Sequence, residues 1–199
     1  ADLVETARRC SRAGLNLCVH AIGDGAVRRA LDAFEPLAGS GPMWRPRIEH
    51  AQCVHPDDLP RFRRAGVIAS MQPIHAVTDR RTADREWGGR TAHAYAWAAL
   101  RRAGAVLAFG SDAPVEPADP LLGLEAATTW RRRAAWHPEL ALSRAPAIRA
   151  YTWGSAYSAG LEASTGRLLP GRLCDLAVVD GGRVVATVVG GRLVDRVRE

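Results

Sequence analysis

Lysine is absent from the 199-residue sequence: all 27 basic side chains are arginine, against 21 acidic ones, for a formal charge of +6. Exclusive use of arginine reads as the codon preference of a GC-rich genome, so the surplus charge argues only weakly for a nucleic-acid partner. The arginines are also dispersed over most helical segments, and their longest cluster, RRR at 131–133, is expected to form a solvated face. Cysteine is scarce. Cys10, Cys18, Cys53 and Cys174 show no CxxC spacing and no crowded disulfide framework, which points to reduced thiols and a cytoplasmic setting. Long apolar runs are missing too; none approaches the roughly 18 residues of a membrane span, so no membrane partner is expected. With 47% hydrophobic and 24% charged residues the composition excludes disorder and fits a soluble globular chain. Ala1 falls inside a helical pattern, as it would in a piece of a longer protein.

What is present is one beat repeated: a short apolar run, a polar turn, then a helix-period segment. LNLCVH (15–20) precedes a segment in which Asp24 is expected to cap a helix carrying Val27, Ala30, Leu31 and Phe34 on one stripe. RIEH (47–50) precedes HPDDLPRFRRAG, where Pro56 suits a first helical position and Asp57 and Asp58 the first turn. GVIASMQ (66–72) leads into a long polar excursion, Ile74 to Arg90, read as a substrate lid or as a surface loop packed through Trp87. An Ala-rich helix over 91–104 is expected next. AVLAFGSD (105–112) precedes a helix beginning at Asp119-Pro120, with Leu121, Leu122 and Leu124 on its buried side, and further helix runs from about Ser143 to Ala159. Strands alternating with helices imply a parallel sheet in an α/β fold. Past residue 160 the texture changes to Val-rich runs separated by Gly-Gly turns, so 1–160 and 161–199 read as separate units, the second a small antiparallel sheet.

Three of the four strands end on a group able to bind metal: His20, His50 and Asp112. Parallel α/β sheets and barrels build their sites at the carboxyl ends of strands, so residues far apart in sequence can converge there. Two imidazoles and a carboxylate satisfy three positions of a catalytic zinc. His55, His93 and His137 are read as structural or solvated. Gly23 and Gly25 let the chain turn from strand to helix; no P-loop or GxGxxG motif is present.

HAIGDGA (20–26), RIEHAQ (47–52), SMQPIH (70–75), AFGSDAPVEPADPL (108–121) and GRLLPGRLCDLAVVD (166–180) together resemble the amidohydrolase superfamily, and within it the amidohydrolase-3 group of N-substituted formamide deformylase-like enzymes. The resemblance implies the C-terminal half of a metal-dependent hydrolase TIM (β/α)8 barrel, strands five to eight with their helices, plus part of a small β-sandwich. It implies a divalent metal, zinc above all, as one ion or two. His20 and His50 match the ligands after the fifth and sixth strands, and Asp112 the aspartate after the eighth, which touches the metal and shuttles the proton. His75 resembles a substrate-facing position. The implied reaction is hydrolysis of a non-peptide carbon–nitrogen bond in a small-molecule amide, N-formyl or N-acyl compound.

The sequence departs from that pattern by having no HxH pair and no lysine for the ligand after the fourth strand. A noncatalytic fragment or degenerate paralogue, acting as a binding or assembly partner, is therefore the alternative, and self-association into a homo-oligomer is left open. A basic nucleic-acid binder is a third, weaker reading.

Overall fold

The computed structural model describes residues 2–196. Four parallel strands, β1 (Cys18–Ala21), β2 (Arg47–His50), β3 (Ile68–Met71) and β4 (Val106–Phe109), pair in chain order. Their register is level: Val19 lies beside Ile48, Ile48 beside Ala69, and Ala69 beside Leu107. Ile48, Ala69 and Leu107 share one buried face, in a single core with Val27, Leu31, Phe34, Phe62, Trp97 and Leu100 from the helices. The opposite face is more polar, with Cys18 and His20 exposed and Arg47, Glu49 and Ser70 half-buried.

The helix Asp24–Phe34 buries Val27, Ala30, Leu31 and Phe34 completely, as the spacing requires. Its cap differs from expectation. Gly23 holds the capping position, and Asp24, the first helical residue, accepts from the Gly25 N–H at 3.0 Å and from Arg90 Nη1 at 3.1 Å. After β2, a tight turn over Pro56–Asp58 opens the helix Leu59–Ala65. Asp58 is 1% exposed and receives Arg28 Nε and Arg61 Nη1, each at 2.9 Å. Arg61 also reaches Glu35 and Asp32, so one arginine ties two successive helices together.

The excursion after β3 is mostly helical, in three short pieces: His75–Thr78, Arg80–Trp87 and a tight turn over Gly88–His93. The helix that follows is limited to Trp97–Arg102 instead of spanning 91–104. Non-local bonding explains the difference. Tyr95 takes a left-handed backbone (φ 50°) and its N–H is drawn to the Gln52 carbonyl, while Ala94 bridges to Cys53.

Asp119 caps the helix Pro120–Glu125, accepting from the Leu121 N–H at 2.9 Å. Leu121 and Leu124 are half-buried, but Leu122 faces outward at 39% exposure. The expected solvated arginine cluster also divides: Arg132 and Arg133 are exposed, whereas Arg131 is fully buried. Arg131 donates to four carbonyls, those of Ala94 (2.7 Å), Tyr95 (3.0 Å), Trp136 (3.2 Å) and His137 (3.3 Å). Its guanidinium lies 4.7 Å from the ring centres of both Trp97 and Trp136. Burial pushes its pKa down to about 10, which still leaves it charged at neutral pH.

The last helical run, Arg144–Arg149 through Ala150–Gly154 to Ser155–Ser158, lies directly on β4. Gly154 permits this approach, because a Cβ there would strike the Leu107 carbonyl. The remaining strands, β5 (Leu176–Asp180), β6 (Arg183–Val189) and β7 (Arg192–Arg196), form an antiparallel sheet. Both hairpins turn on glycine pairs with positive φ, Gly181-Gly182 and Gly190-Gly191, as the Gly-Gly punctuation anticipates. Among the described residues no helix is long and apolar enough to cross a membrane.

Replacing Arg131 by Met keeps the volume but leaves buried carbonyls without donors. A loss of about 2–3 kcal/mol is expected, read as a fall in Tm of roughly 4–12 °C; an unchanged melt would show that the carbonyls find other partners.

Candidate metal centre

Level parallel pairing sets the carboxyl ends of β2, β3 and β4 side by side, and the residues just past them carry the chemistry. Strict alternation would place His50 on the same face as Ile48, against the helices. The chain instead turns left-handed at His50 (φ 72°) and Ala51 (φ 42°). That conformation costs non-glycine residues on the order of 1–3 kcal/mol and gathers at functional sites. Its effect is to bring the His50 ring 4.5 Å from that of His20, edge to face, and 5.9 Å from that of His75. Asp112, three residues beyond β4, is also left-handed (φ 65°). It sits in a turn in which the Val115 N–H donates to the Asp112 carbonyl at 2.8 Å.

His75 opens the first helix after β3 and is 6% exposed. Its Nε2 lies 3.3 Å from Asp112 Oδ2. One donor atom each from His50, His75 and Asp112 fall within 4.8 Å of one another. Of the three residues read as ligands, His50 and Asp112 thus belong to the tightest group. His20, one residue before the end of β1 and exposed, stands beside it through its ring contact with His50. His75, read as a substrate contact, is the third member of the group.

Several supporting residues escaped the sequence reading. Gln72, 9% exposed, has Oε1 at 2.9 Å from His50 Nδ1. Glu116, whose side chain is 12% exposed, places Oε1 at 3.5 Å from His75 Nδ1 and accepts from Thr78 Oγ1 at 2.6 Å. Asp79 lies 4.0 Å from the same Nδ1 and accepts from Tyr95 Oη at 3.3 Å. The signals available were position alone: Gln72 next to a strand end, and Glu116 four residues past Asp112. Two of the remaining histidines have hydrogen bonds away from the group. His55 Nδ1 accepts from the Asp57 N–H at 3.3 Å, and His137 bonds Thr91 Oγ1 at 3.1 Å.

Burial, with the neighbouring His20 imidazole second, holds His50 below the ordinary histidine range, and Asp112 opposes that shift only in part. His50 is therefore neutral near pH 7, the state in which a ring nitrogen can bind an ion. Two imidazoles and one carboxylate are a donor set suited to a divalent metal such as zinc.

The Amidohydrolase family model matches residues 1–195, five motifs and the converging strand ends included. The chain belongs to that family. The amidohydrolase chain is 33% identical over 201 residues to Protein LONG AFTER FAR-RED 3 of Arabidopsis thaliana, covering 91% of itself and 34% of that protein. It superposes on an uncharacterized metal-dependent hydrolase from Pyrococcus furiosus with a TM-score of 0.74 and 38% identity, covering 85% of itself and 34% of that chain. A prolidase complexed with N-methylphosphonate-L-proline shares the fold at 18% identity and a TM-score of 0.66, over 98% of this chain and 48% of that one. The four βα units are part of a TIM (β/α)8 barrel, and the chain spans about a third of the length of its Arabidopsis and Pyrococcus relatives.

Burial lowers the pKa of both His50 and His137, so below pH 6.5 the unfolded chain binds more protons than the folded one and stability falls with acidification. Urea titrations are expected to show this loss as the pH falls below 6.5, and His50→Asn to flatten it by up to about 1.4 kcal/mol per pH unit. Parallel profiles for the two proteins would contradict the assignment.

Proposed function

We propose that the chain supplies the C-terminal half of a metal-dependent amidohydrolase that cleaves non-peptide carbon–nitrogen bonds in small amides, N-formyl and N-acyl compounds among them. The observation that carries this reading is the convergence of His50, His75 and Asp112 within 4.8 Å at the strand ends of an amidohydrolase-family barrel. The donor set fits zinc, with His50 and Asp112 as ligands and His20 close enough to His50 to join them. When bound, the ion supplies an activated water and a polarised scissile carbonyl.

The chain's own groups do the rest. Asp112 is an exposed carboxylate on a hydrogen-bonded turn, suited to take a proton from the attacking water and deliver it to the leaving nitrogen. His75, with Nε2 against Asp112 and Nδ1 toward Glu116, is placed to orient that carboxylate and meet the substrate. Four free thiols fit a cytoplasmic enzyme. Residues 161–199 would contribute to the family's composite sandwich. The second reading, an assembly partner without turnover, draws on the exposed Cys18 and His20 of the polar sheet face.

The test is zinc content and hydrolysis of an amide panel, an Xaa-Pro dipeptide included, by the longest open reading frame that encodes the chain. Asp112→Asn is expected to retain much of the zinc and lose roughly 10²–10⁴-fold in kcat, whereas His50→Ala loses both. Wild-type turnover in either variant would remove that residue from the site, and no turnover on any amide would favour the partner reading.

A further inference from the structure

Gln72 immediately follows the last residue of β3, and its side chain is buried at the level of the site. Its Oε1 lies 2.9 Å from His50 Nδ1. An amide oxygen only accepts, so Nδ1 must carry the proton and donate. A neutral imidazole has one N–H, which leaves the lone pair on Nε2, the nitrogen turned away from Gln72. His75 is arranged alike: Nδ1 faces the Glu116 carboxylate at 3.5 Å and Nε2 faces Asp112 at 3.3 Å. Both rings thus meet an acceptor at Nδ1, which leaves Nε2 as the nitrogen free to face the site. His50 has particular need of such a tether, because its left-handed backbone (φ 72°) is what swings the ring off the helix-covered face.

We propose that Gln72 is a positioning residue that fixes His50 as the Nδ1–H tautomer and holds its ring so that Nε2 is presented beside Asp112. The proposal rests on the metal-dependent reading above only for its consequence, since the tautomer itself belongs to the metal-free chain. Outer acceptors of this kind commonly alter metal affinity by about 10–100-fold when removed.

The experiment pairs nitrogen-15 NMR of the histidine rings in the metal-free 199-residue chain with cobalt(II) titration. Wild type is expected to show His50 as Nδ1–H. Gln72→Leu is expected to lose that single tautomer and to bind cobalt about 10–100-fold more weakly, while Gln72→Glu, which keeps an acceptor, preserves the tautomer and restores affinity. An Nε2–H signal for His50 in wild type overturns the proposal, since the amide would then present its NH2 group instead. So does a Leu variant with wild-type tautomer and affinity. If the Leu variant fails to fold, the wild-type tautomer and the Glu variant decide. Wild type that takes no cobalt yet shows Nδ1–H contradicts the metal reading and leaves the tautomer assignment standing.

Discussion

Level parallel pairing of four short strands is the constraint from which the rest of this chain follows. It sends the carboxyl ends of β2, β3 and β4 to one edge of the sheet and sets both Gln72 and Asp112 within reach of His50 although they lie 22 and 62 positions from it. Pairing alone would leave His50 facing the helices. The left-handed backbone at His50 and Asp112 accompanies the gathering of their side chains with His75 past the strand ends. The strain those turns store is held by close packing beneath them, where Ile48, Ala69 and Leu107 are buried and Gly154 lets a helix rest on the β4 backbone.

Arginine carries the polar architecture in the absence of lysine, and it does so in distinct ways. Arg61 is a hub for three carboxylates between adjacent helices and lowers the pKa of Glu35, a charge-paired arrangement close to the surface. Arg131 has no carboxylate within salt-bridge distance among the described residues. It is held by four carbonyls and two tryptophan faces, pinning the Tyr95 turn to the helix after β4. The planar five-donor guanidinium makes that possible, where an ammonium would reach fewer acceptors. Tyr95 in turn bonds Asp79 near His75, so the arginine's packing extends to the rim of the site.

The strands were legible in the sequence because apolar runs of strand length are local patterns, and the meeting of His50 with Asp112 followed from the parallel α/β topology that those runs, alternating with helices, imply. The helix stripe of Val27, Ala30, Leu31 and Phe34 was legible for the same reason. What stayed hidden depends on partners distant in sequence. Arg131 shares its RRR run with two exposed neighbours, and only Trp97 and the carbonyls of Ala94 and Tyr95 distinguish it. The Ala-rich run at 91–104 has helical composition, but the bond from Tyr95 to Gln52 breaks it. His75 was singled out by its motif, yet its place beside Asp112 depends on how the short helix after β3 folds back over the strand ends.

Anomalous diffraction at the zinc edge, from crystals of the chain grown with zinc, decides whether these strand ends hold one ion. A single strong peak is expected within bonding distance of His50 Nε2 and an Asp112 carboxylate oxygen, with His75 or His20 beside it. A zinc peak at the cysteines or at surface histidines, with none at Asp112, would contradict it.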